Sequence, residues 1–232
     1  MYTIDDLKTN RDAQIMVGCI AFFILAFPAY FALAADSADG SLGGGVGDYQ
    51  VNGEITYIPL ADGSVYVEDA TTWSEVFNTD AVDGAEDLNI VGVMVSMSYG
   101  EDEESNGAGC GDDGPDTITG TATHLEYSGS EDGQNSGGSG AHDAMAIWYN
   151  DTMVGSVVSG LSMSEIDAEL DKTGAGVGDH TVDISVFVDT GNTNPAPFVG
   201  CQRTDNGEQV DYTVQLMVLE YTIAPFMDTS DL

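Results

Sequence analysis

Residues 91–99 read VGVMVSMSY, and this stretch decides the fold class. Its larger apolar side chains recur at every second position, and glycine or serine occupies most of the positions between them. Because successive side chains of a β-strand point to opposite faces, a period of two predicts a strand that is buried on one face. An amphipathic helix would repeat every 3.6 residues, which does not fit this stretch.

The same alternation recurs towards the C-terminus. Residues 181–188, TVDISVFV, alternate in the same way, and residues 211–223, DYTVQLMVLEYTI, carry apolar side chains on both faces. The second pattern favours a strand at the centre of a sheet. Since short runs of this kind are separated by Asp, Gly and Asn, the sequence predicts an all-β fold, a single antiparallel β-sandwich of the Ig-like or jelly-roll type.

Three local features receive further predictions. The dipeptide at 62–63, Asp-Gly, predicts a hairpin turn between two strands. Residues 128–140, SGSEDGQNSGGSG, are low in complexity and predict a surface loop. Ser164 and Asp167 have the spacing of a capping box and predict one short helix, which Gly174 would end. This helix is expected to cover an edge or an end of the sandwich.

The chain has 232 residues, of which 40 are acidic and only four are basic, so its formal net charge is −36. This balance argues against nucleic acid as a partner, because phosphate binding needs clustered Lys and Arg. It also argues against docking on an anionic membrane surface. A carboxylate-rich surface stays hydrated in salt, which predicts a halophilic or marine source.

Residues 15–35, IMVGCIAFFILAFPAYFALAA, contain no charged side chain. As a helix with a rise of about 1.5 Å per residue, this run would span roughly 30 Å, the thickness of the hydrocarbon core of a bilayer. Lys8 and Arg11 precede the run, and the next base is Lys172, so the positive-inside rule places residues 1–14 in the cytoplasm. The sequence therefore predicts a single-pass signal-anchor helix in the cell membrane, with the C-terminal domain outside.

Three processing routes compete with this intact anchor. The triplet Ala-Leu-Ala at 32–34 fits a signal-peptidase site, with cleavage after Ala34. The sequence MVGC at 16–19 resembles a lipoprotein box, and a pilin-type leader would be cut near RDAQ at 11–14. The length of the uncharged run favours the intact anchor, because a secretory signal has an apolar region of only about 7–15 residues.

The remainder of the chain divides into three segments. Residues 36–48 are rich in Gly, Ser and Asp and predict a flexible linker, which would lift the following domain off the membrane. Residues 49–225 are the predicted extracellular sandwich, and residues 226–232 are a C-terminal tail.

Cys110 and Cys201 lie in two acidic loops, 100–116 and 189–210, each of which follows a predicted strand. Two cysteines in a domain outside the membrane favour one disulfide, and two free thiols are the alternative. If both loops leave the same end of the sandwich, a Cys110–Cys201 bridge would join them and stabilise the fold by about 3–4 kcal/mol in the chain-entropy model.

Joining the two loops would also gather carboxylates. Ca²⁺ takes 6–8 oxygen ligands, which Asp side chains and loop carbonyls supply. A solvated acidic loop without a cation is the alternative, and the spacing of an EF-hand is absent from the sequence. The candidate Ca²⁺ ligands are Asp112, Asp113, Asp116, Asp189 and Asp205.

Two further motifs could carry chemistry. Residues 150–152, NDT, form an N-glycosylation sequon in which Asn150 would carry the glycan if this loop lies outside the cell. Ser139, His142 and Asp143 offer a weak hydrolase set, but the sequence contains no P-loop, HExxH, CxxC or GxSxG motif. The sequence therefore favours a protein that is not an enzyme.

Several of these features occur together in a known group of proteins. NIVGVMVSMSYGEDEE at 89–104 and CGDDGPDTITGTAT at 110–123 give a strand, an acidic loop with a cysteine and a PDT strand start. CQRTDNGEQVDYTVQLMVLEY at 201–221 gives a DNG turn before the last long strand. This combination, over roughly residues 50–223, resembles the uncharacterised membrane-anchored or secreted Ig-like/jelly-roll sandwiches of marine planktonic archaea. The resemblance implies the fold and the location, and no catalytic activity.

The sequence thus predicts a surface protein with a structural or interaction role. The lipid bilayer is its partner through residues 15–35, and an envelope protein or a glycan is a further candidate partner. Two alternatives remain open: a Ca²⁺-dependent adhesion module that binds a glycan or a protein, and an accessory subunit of a membrane complex.

Overall fold

The computed structural model describes residues 45–100, 114–135, 138–191 and 200–227, together with the backbone of 104–106. Scattered residues nearer the N-terminus are also described, and all of them are helical: Arg11, Gln14, Ile15, Phe22, Phe23, Ile24, Ala26 and Phe27. Among the described residues, we find no helix with the length and apolar character needed to cross a bilayer. Most of the predicted anchor at 15–35, including the possible cleavage point after Ala34, lies outside them, so the anchor stays a prediction.

The rest of the described chain is an antiparallel β-sandwich with one short α-helix, as the alternating pattern predicts. The strands are β1 (Gly47–Glu68), β2 (Thr71–Asn78), β3 (Ile90–Gly100), β4 (Glu104–Asn106), β5 (Thr117–His124), β6 (Tyr127–Gln134), β7 (Ser139–Ile147), β8 (Val157–Leu161), β9 (Asp179–Phe187), β10 (Gln202–Thr204) and β11 (Gly207–Pro225). The helix is α1 (Met163–Leu170).

Two sheets face each other across the main core. A five-stranded sheet has the order β7-β3-β11-β1-β8, and a four-stranded sheet has the order β2-β9-β5-β6. The alternate residues of β5 and β9 are buried, and they meet the inner faces of β3 and β11. The prediction that residues 211–223 form a central strand is confirmed, because β11 pairs with β1 on one side and β3 on the other.

The hairpin predicted at Asp62-Gly63 is wrong. β1 continues through both residues and pairs with β11 from Tyr49 to Glu68, with a bulge between Pro59 and Ala61. Gly63 lies opposite Tyr212, and a Cβ atom at Gly63 would come within 2.6 Å of the Tyr212 hydroxyl. The glycine therefore leaves room for an aromatic ring, and the chain reverses later, at Asp69 and Ala70.

The surface loop predicted at 128–140 is also wrong. This stretch forms most of β6 and the start of β7, which lie against each other where the two sheets meet. A Cβ atom at Gly129 would overlap the carbonyl oxygen of Met145, and one at Gly133 would overlap His142 and Tyr99. The glycines allow β6 to approach β7 closely, so the low-complexity composition reflects packing.

The predicted helix exists, but its cap is Ser162 and not Ser164. The Ser162 hydroxyl accepts from the backbone N–H of Glu165, and the Glu165 carboxylate accepts from the Ser162 N–H, which is a capping box. The helix ends at Leu170, before Gly174. It covers the outer face of the five-stranded sheet, where Ile166 and Leu170 join a second apolar cluster.

Candidate functional site

The acidic loops that follow β3 and β9 meet beside the sandwich. β4 lies in the first loop and β10 in the second, and the two pair antiparallel, with Arg203 opposite Ser105. The two loops are therefore neighbours. Cys201, just before β10, is 4% exposed. Cys110 lies outside the described residues, so its pairing with Cys201 stays a prediction.

A network of buried polar side chains lies next to these loops. Asp116 precedes β5 and Asn135 follows β6, so the β5–β6 hairpin places the two side by side. The Asp116 N–H donates to Oδ1 of Asn135 at 2.9 Å, and Nδ2 of Asn135 donates back to Oδ2 of Asp116 at 3.2 Å. The same Nδ2 atom donates to Oε1 of Glu208, on β11, at 3.3 Å. All three side chains are at most 1% exposed.

A third carboxylate completes what we call the carboxylate cluster, which comprises Asp116, Asp205 and Glu208. Each residue offers one carboxylate oxygen, and these oxygens lie within 4.8 Å of one another. Asp205 lies in the turn between β10 and β11, where its Oδ1 accepts from the Gly207 N–H at 3.1 Å. Negative charges held this close must be screened, protonated or paired with a cation.

The spacing of the carboxylate cluster is compatible with Ca²⁺. Ca²⁺–oxygen distances are about 2.3–2.6 Å, so two ligands of one ion lie at most about 5 Å apart. Three carboxylates are fewer than the 6–8 ligands that Ca²⁺ takes, so loop carbonyls and water would have to supply the others. Several of the cluster's oxygens already accept hydrogen bonds, but a carboxylate oxygen has a second lone pair that can bind an ion.

The structure brings together two of the five predicted ligands, Asp116 and Asp205. Asp189 approaches through its backbone, because its N–H donates to Oδ1 of Asp116 at 2.7 Å. Its own carboxylate is exposed, accepts from the Gly191 N–H and does not belong to the cluster.

The remaining two members of the predicted set, Asp112 and Asp113, lie outside the described residues. The structure adds two residues that the sequence does not assign to the site: Glu208, which lies in the second loop, and Asn135, which lies in the stretch 128–140. The alternation of β11 could have identified Glu208, since it shares a strand face with Val210 and Tyr212 at the start of the strand that follows the DNG turn.

The sequon lies in a turn at the surface. Asn150 is partly exposed and precedes a short 3₁₀ helix, Asp151–Met153. The Thr152 hydroxyl donates to Oδ1 of Asn150 at 2.7 Å. This geometry leaves Asn150 accessible, and its glycosylation stays a prediction.

His142, the histidine of the weak hydrolase set, contacts other groups. Its Nδ1 lies 3.0 Å from the Tyr99 hydroxyl, and its Nε2 lies 3.2 Å from the Glu131 carbonyl oxygen. Its two nitrogens thus face β3 and β6, and neither contacts Ser139 or Asp143.

Comparison with known proteins adds little to this site. No protein-family model matches the chain, and no curated protein sequence matches it. Dimeric latent PorU from Porphyromonas gingivalis is 13% identical with a TM-score of 0.22, over 76% of this chain and 14% of that one. A Nora virus structure is 12% identical with a TM-score of 0.21, over 80% of this chain and 63% of that one. The chain thus spans less than two thirds of either protein, and similarity at this level carries no argument about function.

Proposed function

We propose that this chain is a non-enzymatic surface protein, in which a membrane helix at 15–35 holds an acidic β-sandwich outside the cell for a structural or interaction role. The observation that carries the proposal is the distribution of charge. The uncharged run separates Lys8 and Arg11 from a strongly acidic remainder. The resemblance to the sandwiches of marine archaea supports the same location.

The two lysines of the chain, Lys8 and Lys172, provide a test of orientation. Lys8 would be cytoplasmic, whereas Lys172 follows α1 in the sandwich, where its Nζ donates to the Ala168 carbonyl oxygen near the surface. A membrane-impermeant amine reagent applied to intact cells should label Lys172 and leave Lys8 unlabelled. Labelling both lysines after lysis is the control. Labelling of Lys8 in intact cells, or of neither lysine, would contradict the proposed orientation.

The intact mass of the membrane-bound protein tests the anchor itself. The full-length mass, in a fraction that only detergent releases, is expected. A released form that begins at Ala35 would show cleavage after Ala34 and would overturn the anchor while leaving the extracellular location standing. The same spectrum reports the Cys110–Cys201 bridge, as a loss of two hydrogens, and any glycan at Asn150.

The carboxylate cluster favours a second candidate function, a Ca²⁺-dependent binding module. A cation that binds only the folded state raises stability by RT ln(1 + [L]/Kd), which is about 2.7 kcal/mol at 100 times Kd. We therefore expect the unfolding midpoint of the full-length protein to rise with Ca²⁺ and to fall with EDTA.

Matched variants separate a bound ion from general screening. Asp205→Asn changes the least buried member of the cluster and should abolish the response to Ca²⁺. Asp83→Asn, at an exposed position outside the cluster, should preserve it. Equal midpoints of the unsubstituted protein in Ca²⁺ and in EDTA would eliminate this candidate function.

A further inference from the structure

Four exposed apolar side chains lie at the end of the sandwich where β1 begins and β11 ends. These two strand ends pair with each other, and the start of β8 pairs with β1 beside them. The exposed fractions are 73% for Val46, 40% for Val157, 42% for Phe226 and 82% for Met227. We call these four residues the apolar tip.

Hydrogen bonds hold the apolar tip in place. The Phe226 N–H donates to the Asp48 carbonyl oxygen at 2.8 Å, so the chain stays on β1 beyond the end of β11. The Tyr49 hydroxyl donates to the Gly45 carbonyl oxygen at 2.5 Å, which fixes the residue next to Val46. The exposure of these side chains is therefore a property of the folded end of the sandwich.

The two ends of the sandwich differ in charge. The end with the apolar tip is formed by 20 residues, 45–50, 157–165 and 223–227. They include two acids, Asp48 and Glu165, and no base. The loop 100–116, at the opposite end, contains seven acids in 17 residues. Since a charge that leaves water loses its hydration, the end with few carboxylates is the one that can enter a membrane interface at the lower cost.

The proposed anchor is joined to the sandwich at this same end. Nine residues, 36–44, separate the predicted membrane run from Gly45. A Gly-rich coil of nine residues spans about 17 Å on average, and a fully extended chain of that length spans at most about 32 Å. The apolar tip is therefore the part of the sandwich that the chain holds closest to the bilayer.

β11 connects the apolar tip to the carboxylate cluster. The strand has 19 residues, begins at Gly207, next to Glu208 of the cluster, and ends at Pro225, next to Phe226. With a rise of about 3.3 Å per residue, it spans up to about 60 Å. A sandwich that stands on the apolar tip therefore presents the carboxylate cluster away from the membrane.

We propose that the apolar tip rests in the interface of the bilayer, so that the sandwich stands upright on the membrane with the carboxylate cluster at its far end. This inference rests on the proposed function, because it needs the anchor at 15–35. The surface that the tip fits is one of zwitterionic lipid, since an acidic domain is repelled by anionic headgroups. Val, Phe and Met side chains bury apolar area at the boundary between headgroups and acyl chains.

Tryptophan fluorescence in vesicles tests this contact. Full-length Phe226→Trp and Met227→Trp are reconstituted into phosphatidylcholine vesicles with brominated acyl chains, which quench indole rings that enter the bilayer, and into the same vesicles without bromine. The unsubstituted protein gives the background from Trp73 and Trp148. The emission that each substitution adds should shift to the blue and lose intensity in the brominated vesicles.

Phe187→Trp is the matched control. Phe187 is 65% exposed and pairs with Thr117, next to Asp116, at the opposite end of the sandwich. Its added emission should keep its intensity in the brominated vesicles. Equal quenching of Phe187→Trp and Phe226→Trp would overturn the proposal, because the sandwich would then lie along the membrane.

Flotation of the same vesicles reports the anchor separately. Protein that floats without quenching at either tip position would overturn the contact and leave the proposed function standing. Protein that does not float would contradict the proposed function, and the contact with it. A blue shift without quenching would mean that protein covers the tip, as in a pair of copies, and would also overturn the proposal.

Discussion

His180 shows how one buried side chain links stability to pH. The unfolded chain takes up a proton on a histidine near pH 6.5, whereas burial lowers the pKa of His180 in the folded protein to about 4. Between these values the unfolded state binds more protons than the folded state. Stability therefore falls as the pH falls through this window, and His180 contributes most above it.

We expect the protonation of His180 to lower the free energy of unfolding by about 2–3 kcal/mol between pH 7 and pH 4.5, since one pKa unit corresponds to about 1.4 kcal/mol. The many carboxylates of the chain titrate in the same range, so the comparison needs a variant. His180→Gln should show a shallower dependence than the unsubstituted protein in urea unfolding at the two pH values.

Val182→Ala, at a neighbouring buried position of β9, is the matched control. It removes apolar contacts and no titrating group, so its destabilisation should be nearly the same at both pH values. Parallel pH dependences of His180→Gln and the unsubstituted protein would show that His180 has no part in the effect.

Individual site residues could be predicted from the sequence only where their neighbours in the chain indicate a site. Asp116 and Asp205 were found because each lies in an acidic loop beside a cysteine or a turn. Asn135 could not be predicted because its contact with Asp116 depends on the β5–β6 hairpin, which runs through residues 128–140, where the composition predicts a loop. The contact between His124 and His180, whose ring centroids are 4.4 Å apart, could not be predicted for a similar reason, because the two residues lie on different strands.

Strands were predicted well where apolar side chains alternate, and poorly where small residues fulfil a packing role. β9 buries one face and shows the period of two along its whole length, whereas β3 and β11 alternate in one part and are buried on both faces in another. β6 is an edge strand with mostly exposed side chains, so it has no apolar alternation. β1 contains Asp62-Gly63, a strong turn signal that pairing with β11 overrides.

The packing of β6 on β7 gives a prediction about these elements. Gly129→Ala should destabilise the protein by about 1–3 kcal/mol, because the new methyl group would overlap the backbone of Met145 and force the two strands apart. Chemical unfolding of the full-length protein measures this difference.

Gly138→Ala is the control for this prediction. Gly138 lies in the connection between β6 and β7, and a Cβ atom there would meet no atom within 4 Å. Its substitution should change stability by less than about 0.5 kcal/mol. Equal effects of the two substitutions would mean that residues 128–140 do not pack as two neighbouring strands.

The charge of the whole molecule predicts how its stability depends on salt. A net charge of −36 on 232 residues repels itself more strongly in the compact state than in the expanded one. The Debye length falls from about 30 Å at 0.01 M salt to about 3 Å at 1 M, so added salt screens this repulsion. The unfolding midpoint should therefore rise with NaCl and level off as the Debye length falls below the spacing of neighbouring carboxylates.

Screening depends on ionic strength and not on the identity of a monovalent ion, so NaCl and KCl should give the same curve.

Ca²⁺ at equal ionic strength separates screening of the whole acidic surface from ion binding at the carboxylate cluster. A rise in the midpoint beyond the NaCl curve that disappears in Asp205→Asn would belong to the carboxylate cluster, whereas a rise that Asp205→Asn retains would belong to the surface as a whole. A midpoint that does not change with NaCl would mean that self-repulsion is not a significant term in folding. The acidic surface would then affect solubility and association, and not stability.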